Sequence, residues 1–221
     1  MSTQIPPPAT ALRTPLLRGY IHLAVAVVSP LALIQLLLIA DSPRAFVGAA
    51  IFGVSLILLY LTSGLYHVIP WNGRLRALFR NLDHSMIFLF IAATYTPFTL
   101  MVLGNGWGIS ILSVVWALAA VGIVVRSTPM FQARWIAIVL YLALGWIALI
   151  PAYSIANSLP SIGLLMIIGG GLLYSLGALM YALRWPNPFP HVFGYHETFH
   201  CMVVAATLVV YLVIALYVLP S

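Results

Sequence analysis

His196 and His200 stand four residues apart in His196-Glu197-Thr198-Phe199-His200, at the head of the last apolar stretch of the chain. On a helix that spacing puts both imidazoles on one face, one turn or about 6 Å apart along the axis, close enough to share a metal ion. His67 closes the second apolar stretch, four residues after Ser63, and Asp83 opens the third. The chain has only three acidic residues, Asp41, Asp83 and Glu197, and two of them fall in this constellation. An ionisable side chain within an apolar stretch costs roughly 2.5–3.5 kcal/mol on insertion scales, so its presence argues for a function. Three histidines would leave the fourth tetrahedral position of zinc open, the pattern of catalytic rather than structural sites. Neutral nitrogen ligands and the lack of a cysteine pair favour zinc over an iron–sulfur cluster; iron and other transition metals stay open.

Zinc lowers the pKa of a bound water to about 7, and a nearby carboxylate can orient that water or take its proton. Two carboxylates qualify. Glu197 lies inside a formal H-E-x-x-H string, the zincin signature. Asp83 lies in Leu82-Asp83-His84. Ser63, one turn deeper than His67 on the same face, is a candidate supporting hydrogen-bond group. Plainer roles compete: the charge of Glu197 also suits the first turn of a helix, and His22, His84 and His191 read as helix–helix or interfacial hydrogen-bonding groups. Cys201 is the only cysteine, which excludes an intrachain disulfide, and it reads as a small packing residue. Pro97 reads as a helix kink, and Gly169-Gly170-Gly171 as a site of close helix packing.

The elements that must position these residues are membrane spans. The 221 residues are 63% hydrophobic and 5% charged, and a mean hydropathy of +1.12 excludes a water-soluble domain. The apolar runs are long and do not alternate, so the fold class is all-α, a polytopic seven-transmembrane helical bundle, and not a barrel. The predicted spans are about 20–40, 45–67, 83–103, 107–125, 133–153, 161–183 and 193–219. They are separated by Asp41 to Arg44, Trp71 to Arg80, Gly104-Asn105-Gly106, the Pro129 and Pro160 breaks, and Arg184 to Pro190. Residues 1–19 form a short Pro-rich arm and 20–221 one transmembrane domain, and the first run is too long for a cleaved signal.

All nine basic residues are arginines. With the N-terminus in the cytoplasm, eight of them fall inside and only Arg44 outside, a strong positive-inside signal. Trp71, Trp107, Trp135 and Trp185 fall near span ends, as interfacial anchors do. Even-numbered spans then end, and odd-numbered spans begin, on the cytoplasmic side, which puts His67, Asp83, His196 and His200 on one face of the membrane. The arginines sit between spans and form no aromatic-interleaved stripe, so nucleic acid is excluded as a partner and membrane lipids are expected instead.

Ser63-x-x-x-His67, Asp83 and His196-x-x-x-His200, together with Leu65-Tyr66-His67, Leu82-Asp83-His84-Ser85, Ala93 to Phe98 and Tyr141 to Trp146, resemble the hemolysin III branch of the progestin and adipoQ receptor superfamily. The resemblance covers nearly the whole chain. It implies seven helices, zinc held by His67, His196 and His200, and Asp83 contacting the water on the metal. It also implies a bacterial plasma membrane location and a role in membrane lipid homeostasis. Because that pattern tolerates other residues at the position of Glu197, it moves the water-orienting role to Asp83. The chain departs from it early in the first span, where relatives carry an acidic residue and Asn and this sequence reads Arg18-Gly19-Tyr20-Ile21-His22. It departs again between Val204 and Tyr211, which lack a further histidine.

Three functions are compatible with these features. The first is a ceramidase-like zinc hydrolase of lipid amides or esters, with Asp83 and Ser63 as its working side chains. The second is a pore-forming, haemolytic protein with a structural metal. The third is a receptor of membrane state. The oligomeric state is open.

Overall fold

A computed structural model of the protein describes residues 15–104, 106–128 and 133–220. The N-terminal arm to residue 14, including Arg13, lies outside the described residues, as do Asn105 of the expected tight turn and Pro129. Among the described residues every regular element is helical, apart from one isolated bridge between Phe189 and Phe193.

Helix α1 spans Tyr20–Ile39 and α2 spans Pro43–Val68. The hydroxyl of Ser42 accepts the N–H of Ala45 at 3.2 Å and Pro43 occupies the first turn, so Ser-Pro starts α2 immediately after Asp41. Helix α3 spans Gly73–Pro97 and widens into a π turn at Phe98–Val102, so Pro97 marks a change of helical pitch. Helices α4 (Gly106–Ser127), α5 (Arg134–Gly145), α6 (Ala152–Ser158), α7 (Ser161–Leu183) and α8 (Tyr195–Val213) follow, the last also ending in a π turn, Ile214–Val218.

Six of these helices are long and apolar enough to cross a membrane. The predicted fifth span is not one straight helix. Arg134–Leu149 and Ala152–Ser158 meet at a bend of 54°, so the count is seven crossings if this bent pair is one span and six if it is a re-entrant loop. Pro151 sits at the break, where it has no N–H for the helical ladder and its ring would crowd the carbonyl four residues earlier. The third helix also differs from expectation. It begins at Gly73, ten residues before the predicted span, so the stretch from Trp71 to Arg80 is mostly helix and Asp83 lies inside α3. The segment is polar enough to look like a break, yet Leu75, Leu78 and Leu82 recur at helical spacing and form an exposed apolar stripe.

Helices α2, α3 and α8 are the most enclosed, whereas α1 and α7 turn most of their surface outward. Large exposed side chains such as Val27, Leu31, Leu38, Leu165 and Leu179 supply the surface that faces lipid. The main core gathers Leu36, Phe52, Leu56, Tyr60, Val213 and Ile214 from α1, α2 and α8. A second core joins Phe88, Ala92, Val115, Ala119 and Leu144 from α3, α4 and α5.

Of the three consecutive glycines in α7, only Gly170 is buried, and a Cβ there would meet Val210 at 3.2 Å; Cβ atoms on Gly169 or Gly171 would meet nothing. The packing stripe is Gly163, Gly170 and Gly177, spaced by seven, which lets α7 press on Tyr217, Val210 and Met202 of the last helix. Cys201, expected to pack, is exposed.

Candidate metal centre

The three most enclosed helices deliver the site. His67 ends α2, Asp83 lies in the early turns of α3, and His196 and His200 face inward from the first turns of α8. The His196 and His67 Nε2 atoms are 3.2 Å apart, and ligand nitrogens of His67, His196 and His200 all lie within 4.8 Å of one another. Zinc–nitrogen bonds of 2.0–2.1 Å in a tetrahedron place neighbouring nitrogens about 3.3 Å apart, so the His67–His196 pair already has the spacing of two ligands. His200 is buried, and its Nδ1 has no hydrogen-bond partner. Buried ring nitrogens are normally satisfied. A cluster of three imidazoles with nitrogens this close together and one such orphan could hold a metal ion.

Asp83 Oδ2 lies 3.8 Å from His67 Nε2 and 3.8 Å from His84 Nδ1. Among the described residues no arginine is paired with it. Ser63 also neighbours Asp83, and its Oγ lies 2.9 Å from His22 Nδ1. Ser63 thus bonds α2 to α1 beside Asp83 and does not point only at His67.

Glu197 does not face the imidazoles. Its Oε2 accepts the Gly194 N–H at 2.8 Å, half of a capping box, and its Oε1 accepts from Arg18 Nε at 2.8 Å. The carboxylate is fully buried in these two contacts. The H-E-x-x-H string is a helix start with a buried ion pair, not a zincin centre. The other histidines divide. His84 Nδ1 donates to the Arg80 carbonyl at 2.6 Å, and His191 is exposed.

His22 is the residue that spacing missed. It forms the expected interhelical hydrogen bond to Ser63, but its ring also lies flat on that of His200, with centroids 3.7 Å apart and planes at 14°. Gly19, at φ 85°, lets the chain before α1 turn so tightly that a Cβ would come within 2.7 Å of the His67 Cβ. The residues just before α1 dock beside the site as well, with Leu16 and Leu17 N–H groups donating to the carbonyls of His191 and Val192. The divergent stretch from Arg18 to His22 is thus part of the wall of the metal centre. A signal was present: the first span begins on the same side as the third and seventh, so parity alone places His22 with the other histidines.

The sequence is similar to known proteins along most of its length. The profile of the family described as haemolysin-III related matches residues 10–211. The chain belongs to that family. It is 34% identical over 202 residues to Hemolysin-3 of Bacillus cereus, covering 89% of this chain and 88% of that protein. It is 38% identical over 146 residues to the Hemolysin-3 homolog of Bacillus subtilis (strain 168), covering 66% of this chain and 67% of the relative. Similarity extends to an adiponectin receptor protein of Drosophila melanogaster, 35% over 156 residues, which is 61% of this chain and 34% of that protein. This haemolysin-III related protein is accordingly a multi-pass integral membrane protein.

Proposed function

We propose that the protein is a zinc-dependent membrane hydrolase that cleaves an amide bond in a ceramide-like lipid and thereby adjusts membrane lipid composition. One observation carries the reading. A carboxylate with no arginine partner, Asp83, stands 3.8 Å from a nitrogen of the three-histidine cluster. A purely structural zinc site is closed by four ligands and has no use for a carboxylate beside an open position.

Zinc bound by His67, His196 and His200 would supply Lewis acidity and an acidified water. The remaining work belongs to the chain. Asp83 orients the attacking water, accepts its proton at a carboxylate oxygen, and returns a proton to the leaving nitrogen. Ser63 holds Asp83 and His22 in register. Eight of nine arginines are predicted at the end of the bundle that carries these residues, so the same reading puts the N-terminus and the site on the cytoplasmic side.

The names of the Bacillus relatives raise a pore as the alternative. Packing speaks against it. From the site a polar run continues through Tyr60, whose hydroxyl donates to Thr207 at 2.9 Å, to Tyr174, 2.8 Å from the same Thr207 oxygen. The core that continues from Tyr60 is closed by Leu36, Phe52, Val213 and Ile214, each fully buried.

Detergent-purified protein should contain zinc and hydrolyse at least one member of a ceramide panel. Asp83→Asn should keep the zinc and lose roughly 10²–10⁴ of the rate, the usual contribution of a positioned acid or base. Zinc without turnover on any lipid amide or ester, together with leakage of dye-loaded liposomes, would replace the hydrolase by the pore.

A further inference from the structure

At the histidine end of the bundle arginines outnumber the carboxylates that could meet them. Arg18 is paired with Glu197. Arg134 donates to the Ala182 carbonyl at 3.0 Å and lies over the Tyr181 ring. Arg126 lies near Tyr141, and its buried Nε has no hydrogen-bond partner. Arg76 and Arg80, which line one groove, have like Arg74 and Arg184 no side-chain hydrogen-bond partner and no carboxylate among the described residues. The chain cannot supply one. Of its three acidic residues, Glu197 is taken by Arg18, Asp83 faces His67 and Ser63, and Asp41 follows α1 at the opposite end of the bundle.

These two arginines are not scattered on the surface. Spaced i, i+4, they share one face of α3. With Tyr66, Gly73 and Ala77 they line a groove of about 270 Å³ between the end of α2 and the start of α3. Gly73 is the first residue of α3, so N–H groups of a helix start border the same groove. The Tyr66 hydroxyl lies in the field of Asp83 on one side and of Arg76, Arg80 and Arg18 on the other, and its ring packs on that of His67 with centroids 4.6 Å apart. On the same helical segment Leu75, Leu78 and Leu82 are exposed. An apolar stripe beside a pair of guanidiniums is how a helix segment sits at the boundary between headgroups and acyl chains.

We propose that this groove binds the phosphodiester of an anionic phospholipid headgroup, with Arg76 and Arg80 donating to the phosphate oxygens and Tyr66 closing the third side. Guanidinium forks suit phosphate geometry, and such charge-assisted bonds are the strong ones. The bound lipid would lie one residue from His67, at the edge of the metal centre. The inference holds whether or not the protein is a hydrolase, because it concerns retention of a lipid and not its cleavage.

The experiment is a titration of detergent-purified full-length protein with phosphatidylglycerol, read by native mass spectrometry. It compares wild type, the double variant Arg76→Gln/Arg80→Gln, and Arg74→Gln, an exposed neighbour that does not line the groove. Wild type and Arg74→Gln should retain one lipid that the double variant holds at least about tenfold more weakly. Equal melting temperatures of all three without added lipid would show the fold intact. A parallel arm adds inorganic phosphate and reads thermal stability. Equal retention by wild type and the double variant, an equal loss in Arg74→Gln, or stabilisation by free phosphate with no lipid retained would each overturn the proposal.

Discussion

The imidazole of His22 lies flat against that of His200, ring centroids 3.7 Å apart, while its Nδ1 meets the hydroxyl of Ser63 at 2.9 Å. A stacked ring restricts the tilt of the ring beneath it. The hydrogen bond fixes the upper ring in turn, so the orientation of a candidate ligand on α8 is set from α1 and α2. Removing such outer supports typically costs 10–100-fold in metal affinity. His22→Ala is expected to weaken zinc binding by about that factor, measured by competition with a chelating dye. His22→Phe keeps a stacking ring and should recover most of the loss. Equal affinity in His22→Ala and wild type would remove His22 from the site.

His196→Ala and His67→Ala should each abolish stoichiometric zinc and lower the unfolding temperature to that of chelator-treated wild type, because an ion that binds only the folded state adds its binding energy to folding. Metal analysis and a thermal melt read both effects. Unchanged zinc content in either variant would mean that the three imidazoles do not share an ion.

Glu197 separates the motif reading from the geometric one. A zincin general base would lose turnover on Glu197→Gln with little change in stability. The observed contacts, to the Gly194 N–H and to Arg18, argue the reverse. Loss of a buried, charge-assisted bond should cost roughly 1.5–3 kcal/mol, with zinc content kept. Arg18→Gln should cost a similar amount, and the double variant less than the sum of the two, since both single changes break one interaction.

The α7 glycines give a test of packing. A methyl on Gly177 would come within 2.9 Å of the Met202 Cβ, whereas one on Gly169 would meet nothing. Gly177→Ala is expected to destabilise the bundle by about 1–3 kcal/mol through overpacking. Gly169→Ala should be neutral or slightly stabilising, since alanine is the better helix former. Thermal melts in detergent would distinguish them, and equal effects at the two positions would contradict the α7–α8 interface.

Much of the fold was legible because a membrane makes strong local demands. Each span must satisfy its own backbone hydrogen bonds and be apolar for about 20 residues, so α1, α2, α4, α7 and α8 could be read from the chain with only small shifts of boundary. The start of α3 was not legible. Its first ten residues are helical but carry three arginines beside exposed leucines, and hydropathy cannot tell an amphipathic helical turn from a loop. The bend at Pro151 was hidden for a related reason: composition counts apolar residues and does not register a missing N–H.

The candidate site divides along the same line. Residue type, rarity of charge and the parity of spans were enough to bring His67, Asp83, His196 and His200 to one end of the bundle, since an ionisable group in an apolar span is rare enough to be conspicuous. The direction in which a side chain points, and what it touches, depend on helix rotation and on which glycines let helices approach. Only the tertiary structure could turn Glu197 away from the metal centre and onto Arg18, lay His22 on His200, expose Cys201, and leave Arg76 and Arg80 facing a groove with no carboxylate in the chain to meet them.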